Sequence, residues 1–286
     1  MKKITVAHSP DSDDIFMYMA VDFGWVNSPW LGFSHVAADI ETLNLAAMAG
    51  TYDVCAISFA AYPLIREDYA LLRTAVSFGQ GYGPKLVKRR GTRLRPNFKV
   101  ALSGEHTTNA LLFRIAYPKA RVEYRNFLDI ERAVVSGEVD AGVLIHESIL
   151  DFSPELEVER EIWDIWTEFA GDLPLPLGGM ALRRSLPLTD AIEAERVLTE
   201  AVRVADANKS LLSRMLLERG LVRIGDANLD KYLSMYANEN SVSMDATQLN
   251  AVQKLFDLGF ERGFYDAKFD VRDFLVPSEY NDFRFA

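Results

Sequence analysis

One cysteine, Cys55, is all that this 286-residue chain carries, so no disulfide forms within it. Basic residues are also short: 31 Lys and Arg stand against 41 Asp and Glu. The formal charge of −10 comes from acids spread along the whole sequence rather than from a tail. Such a surface repels phosphate backbones and anionic bilayers, so neither nucleic acid nor membrane is an expected partner. No apolar run is long enough to span a bilayer. The opening MKKITVAHSPDSDDIF turns polar and acidic too soon for a secretory signal, and the expected location is cytoplasmic.

Several catalytic signatures are missing as well. Gly79, Gly81 and Gly83 recur at every second residue and open no helix, so they make no dinucleotide or phosphate loop. No Gly-x-Ser-x-Gly surrounds Ser58, which argues against a hydrolase nucleophile. Ile145–Ser148 lacks the second histidine of a zinc-protease helix, and the spacing of His8, Asp11, Asp13 and Asp14 matches no metal loop. Neither a metal nor an organic cofactor is expected.

What the chain does have is enough apolar residues, 49%, for one large or two medium domains, and an internal repeat. ETLNLAAMAGTYDVCAISF (41–59) and DIERAVVSGEVDAGVLIHE (129–147) each read as an amphipathic helix, a glycine, two residues, an aspartate and an apolar strand. Leu45 and Met48 mark the first helical face; Ile130, Ala133 and Val134 mark the second. Gly50 and Gly137 are the expected helix stops. Ahead of these, ITVAHSPDSDDIFMYMAV and FKVALSGEHTTNALLFRIAY both run strand, polar loop, helix.

Alternating strands and helices build a mostly parallel sheet, and ligands of such sheets sit beyond the carboxyl ends of the strands. The fold class is therefore α/β, with two lobes and a ligand cleft between them. Gly/Pro-rich stretches at 79–90 and 173–184 suit two chain crossings. They divide the chain into a larger, discontinuous lobe, 1–88 plus 184–286, and an inserted lobe, 89–183. Further on, Thr189 and Asp245 are expected to cap helices, and the aromatic tail after Tyr265 to wrap the first lobe.

The strand ends and polar loops supply the candidate chemistry. His146 closes an apolar strand and can accept a proton near neutral pH. Ser58 closes the matching strand with a hydroxyl. The loop 103–109 offers Thr107, Thr108 and Asn109 at a helix start, a cradle for an anion, although helix capping alone explains it equally well. The same two readings apply to the loop 8–14, where Ser9 and Asp14 are candidates and Ser12 and Asp13 are favoured capping types. Cys55 reads as inert core.

GEVDAGVLIHES taken together with HTT, PLPLG, ETLN and the Ser9-Pro10 pair resembles the 1,4-dihydroxy-6-naphthoate synthases of the futalosine route to menaquinone, along almost the whole chain. That resemblance implies a periplasmic-binding-protein type II fold working as a cofactor-free lyase, a carbon–carbon lyase, on the anionic small molecule cyclic dehypoxanthinyl futalosine. It makes a neutral His146 the proton acceptor, with Ala56, Ile57 and Ser58 on one side of the substrate and Thr108 and Asn109 on the other. Activity is then expected to fall in acid through the ordinary histidine range. The chain departs from the family pattern at Ala56, where lysine is common, at Asn109, where alanine is frequent, and in SPDSDD, where SPCPND is usual. The alternatives are a chorismate dehydratase of the same pathway, against which the histidine strand end speaks, and a non-catalytic binding protein for a small carboxylate.

Overall fold

A computed structural model describes residues 1–277. The chain opens with β1 (Lys2–His8), α1 (Ser12–Asp22), β2 (Leu31–Ala37), α2 (Ile40–Met48) and β3 (Val54–Ser58), then adds β4 (Tyr69–Leu71) and β5 (Ser77–Gly79). It crosses to β6 (Lys85–Arg89) and repeats the opening pattern as β7 (Lys99–Leu102), α3 (Thr108–Ala116), β8 (Arg121–Tyr124), α4 (Phe127–Ser136) and β9 (Ala141–Leu144). After β10 (Leu156–Glu161) and α5 (Ile162–Ala170) the chain returns through β11 (Leu175–Arg183). Five helices follow: α6 (Leu188–Ala207), α7 (Lys209–Glu218), α8 (Asp226–Tyr236), α9 (Glu239–Val242) and α10 (Ala246–Glu261).

The repeat is architectural. One sheet has the order β2-β1-β3-β11-β4, with β5 also on β11; the other has the order β10-β6-β9-β7-β8. In each, the three strands of a repeat unit are parallel and its first strand lies in the middle: Val6 faces Val54 as Val100 faces Ala141. Both sheets are mixed rather than mostly parallel, because the strands next to the crossings, β11 and β6, run antiparallel to β3 and β9. Sheet membership also moves the lobe boundaries. Lys85–Arg89 belongs to the inserted sheet, and Leu175–Arg183 to the first, so the chain crosses at 79–85 and 170–175, earlier than the composition suggested.

Local details follow from the residues. Asp39 caps α2 by accepting from Thr42 N, and this start turns Leu43, Asn44 and Ala47 toward the sheet while Leu45 stays half exposed, so the expected Leu45–Met48 face is rotated. Ile130, Ala133 and Val134 are buried as the spacing indicates. Gly50 and Gly137 take positive φ of 65° and 80°, a conformation that strains any residue with a Cβ. Asp245 caps α10 with a reciprocal bond to Gln248. Thr189, by contrast, lies inside α6, which begins at Leu188 behind Pro187, whose fixed φ and missing N–H suit a helix start. The tail does lie on the first lobe: the Tyr265 hydroxyl donates to Ala60 O, and Leu275 bridges Leu71. Its final residues, 278–286, fall outside the described part.

Candidate functional site

The parallel strands of both sheets end at one cleft, which is open to solvent on one side and has a cavity volume of about 110 Å³. Ser9, Asp14, Ala56, Ile57 and Ser58 line it from the first lobe; Thr107, Thr108, Asn109 and His146 line it from the second. The nine residues named from sequence thus come together, although the loops that carry them lie up to 137 positions apart, from Ser9 to His146.

His146 arrives there by a detour. Ser58 ends β3 and precedes a 3-10 turn (Phe59–Leu64); in the second unit Ile145 takes that place, and His146 is the first residue of the matching turn (His146–Ile149). A positive φ of 55° swings it into the cleft. Its Nδ1 lies 2.8 Å from Asp11 Oδ2, and its ring meets Phe127 edge to face at 4.9 Å. Nε2 is buried with no partner within the protein. An imidazole pinned at Nδ1 with Nε2 unpaired is oriented for proton transfer at one defined atom. Burial alone would push this imidazole down, but the Asp11 carboxylate, helped by Asp13 and Glu147, lifts it to about 9. In this arrangement the ring is an imidazolium at neutral pH, not the neutral base that the sequence led us to expect.

Asp11, Glu147 and Arg223 are the residues that sequence reasoning missed. Asp11, 1% exposed, accepts from the Ser9 hydroxyl and from Arg223 at 2.6 Å, besides pairing with His146. Burial would raise its carboxyl, yet His146, Ser9 and Arg223 together hold it below the usual range. Glu147 accepts from Ser12 N at 3.0 Å, from Ser12 Oγ at 2.6 Å and from Arg223 at 3.1 Å. Ser12 therefore holds the other lobe instead of capping α1, and Asp11, which precedes that helix, makes no side-chain cap bond either. Asp14 accepts from Ser9 N, and burial raises its carboxyl to about 7; burial raises Asp13 well above the carboxylate range. Asp13 and Asp14 thus hold their protons more tightly than free aspartates do. His8 turns away from it, its Nδ1 2.7 Å from Ser9 O and its ring against Tyr18 and His35. Among the described residues no group of three or more His, Cys, Asp or Glu is placed to hold a metal ion.

The far wall is built differently. Asn44 of α2 binds Ser58 twice, accepting from Ser58 N at 2.9 Å and donating to Ser58 Oγ at 3.3 Å, so the hydroxyl keeps its own proton for a ligand. Glu41, also in α2, pairs with His106 Nδ1 at 2.7 Å across the lobes. Thr107 caps α3 through Ala110 N and also donates to Gly104 O, so its hydroxyl is used locally. Thr108 Oγ1 donates to Leu177 O at 3.1 Å and accepts from Ala60 N at 3.3 Å: it ties the lobes instead of offering a free hydroxyl. Asn109 Oδ1 is buried without a partner and lines the cleft. Tyr232 and Tyr236 of α8 add phenols that burial keeps protonated. Cys55 stays in the core, its thiol pushed up to about 12 by burial.

Thr108→Val is expected to cost about 1–3 kcal/mol of stability, because it strands a half-buried carbonyl and a buried amide between the lobes. Thr108→Ser, which keeps the hydroxyl, is expected to stay close to the parent. Denaturant midpoints of the two variants check this, and equal midpoints would refute the tie.

Comparison with known proteins fits this geometry. Residues 4–261 match a protein family described as menaquinone biosynthesis. A 1,4-dihydroxy-6-naphthoate synthase of Thermus thermophilus is 30% identical over 269 residues, covering 92% of this chain and 96% of its own. A crystal structure of an Archaeoglobus fulgidus protein superposes with a TM-score of 0.83 at 35% identity, covering 91% of this chain and 98% of the other. The alkanesulfonate-binding protein SsuA of Xanthomonas axonopodis, bound to MOPS, superposes with a TM-score of 0.69 at 12% identity, over 96% of this chain and 98% of its own. That last likeness identifies the fold as the periplasmic-binding-protein one.

Proposed function

Because this chain belongs to the menaquinone-biosynthesis family, we propose that it forms 1,4-dihydroxy-6-naphthoate from cyclic dehypoxanthinyl futalosine, with His146 as the general base. One observation carries the assignment of the base: on a residue that lines the cleft between the lobes, an imidazole held at Nδ1 by a carboxylate keeps its Nε2 without a protein partner.

In this reading Nε2 takes a proton made acidic by the substrate's carbonyl. The electron pair left behind forms the new double bond of the ring as the carbon–carbon bond to the ribose-derived part breaks. That bond's own pair leaves on the ribose-derived part, which takes the proton back from the imidazolium, and aromatisation of the bicyclic product supplies the driving force. That makes the reaction a carbon–carbon lyase step. The Ser58 hydroxyl, oriented by Asn44, and the first-turn amides of α3 stabilise the developing enolate oxygen. Thr108 acts through lobe closure, which excludes water from the cleft. Ala56 contributes a wall and its backbone, having no charged group to offer an anionic substrate.

No helix among the described residues is long and apolar enough to cross a membrane. The test is direct. Purified protein incubated with cyclic dehypoxanthinyl futalosine is expected to release the dihydroxynaphthoate, detected by its absorbance and mass. Recovery of the substrate bound but unchanged would reduce the protein to a binding module.

A further inference from the structure

Building on the reading of His146 as the base, we infer that Asp11 is its positioning residue and that the two lobes bring the pair together only when the cleft closes. Asp11 and Ser12 follow β1 in the first lobe, whereas His146 and Glu147 follow β9 in the second. Arg223 lies between α7 and α8, which pack on α1, so it travels with the first lobe. The polar links of the His146–Glu147 turn thus cross the cleft: His146 to Asp11 at 2.8 Å, Glu147 to Ser12 at 2.6 Å, and Glu147 to Arg223 at 3.1 Å.

Separation of the lobes breaks these links together. His146 is then left with Phe127 of its own lobe, while Asp11 keeps Ser9 and Arg223. Arg223 neutralises Asp11 in either state and reaches Glu147 only in the closed one. The imidazole feels charged or titratable groups from both sides: Asp11, Asp13 and Asp14 from the first lobe, with Arg223 behind Asp11, and Glu147 from the second. Closure therefore does to the imidazole what it does to the substrate: it removes water and fixes geometry. The left-handed backbone at His146 is a strained conformation that the bond to Asp11 helps to hold.

The opposite end of the cleft supplies an independent handle. Gly104 approaches Glu41 so closely that a Cβ there would lie 2.6 Å from Glu41 Cβ. A side chain at 104 therefore wedges the lobes apart at the Glu41–His106 contact without touching Asp11 or His146.

Four histidines, His8, His35, His106 and His146, give a tractable imidazole spectrum in the full 15N-labelled chain, and loss of one signal in His146→Asn assigns the fourth. In the parent, His146 is expected to titrate well above the ordinary 6.5; in Asp11→Asn it should fall by about one unit or more. Asp11→Ser gives the same reading if the amide is not tolerated. Gly104→Val is expected to lower the titration in the same direction, because the pair comes apart. An Asp11 variant that leaves the titration unmoved overturns the positioning role, and a Gly104→Val chain that titrates like the parent overturns its dependence on closure. These spectra need no turnover. If His146→Asn were active while Asp11→Asn still shifted the titration, the base assignment would fail and the pairing would stand.

Discussion

His146→Asn is expected to lower turnover by about 10²–10⁴, the usual loss when a positioned general base is removed, with little change in stability. Asparagine is the informative replacement for two reasons. It tolerates positive φ better than most residues, so the turn that begins at 55° survives. Its side-chain amide can also stand where Nδ1 stands, 2.8 Å from Asp11, so the buried carboxylate keeps a donor. What disappears is Nε2, the buried, unpaired atom of this cleft residue. The loss should fall on kcat and kcat/KM alike, since proton transfer belongs to the transition state. A rise in KM with kcat preserved would mean that the imidazole merely binds substrate, and turnover within a few-fold of the parent would remove it from the chemistry altogether. The unfolding midpoint, measured in parallel, separates lost catalysis from lost fold.

How much of this was legible from sequence depended on whether a residue acts through local pattern or through a distant partner. The duplicated helix-Gly-x-x-Asp-strand pattern encodes local rules, helix period, a left-handed stop and a buried strand, so it disclosed the two parallel cores and aimed the strand ends at one cleft. The antiparallel strands β11 and β6 carry no such signature, because their pairing follows from where the chain crosses between sheets rather than from their own residues. For the same reason the lobe boundaries fell several residues from the crossings.

The site divides along the same line. The positions of His146, Ser58 and the loop 103–109 could be read from strand ends. Whether a hydroxyl there was free could not: Thr108 spends its hydroxyl on Leu177, 69 residues away, whereas Ser58 keeps its own because Asn44 approaches from the other side. Asp11 stood out only as one acid of a loop whose spacing matched no metal site. Its role depends on Arg223, 212 residues further along, in a helical region that read only as packing surface. The one available hint was compositional, since SPDSDD departs from SPCPND at Asp11, Ser12 and Asp13, and the first two of these clasp the other lobe.

An alkaline rise in kcat/KM is the second large effect expected, and it separates the observed environment of His146 from an ordinary histidine. Only the neutral ring accepts a proton. With the imidazole held at about 9 by Asp11 against the opposing effect of burial, the neutral fraction grows about ninefold from pH 7 to 8 and about fivefold from pH 8 to 9. Between pH 7 and 9 the gain is roughly 50-fold. An imidazole at its ordinary 6.5 would give a nearly flat profile over that range, with its fall below pH 6. Stability runs the other way. A group whose folded value lies above its unfolded one stabilises the closed form fully below about 6.5, and that contribution is lost as pH rises through about 9. The pH that frees the base therefore also loosens the Asp11–His146 clasp, so KM should begin to climb where kcat levels off. A kcat/KM profile that is level from pH 7 to 9 would show that His146 does not work as the base while paired with Asp11.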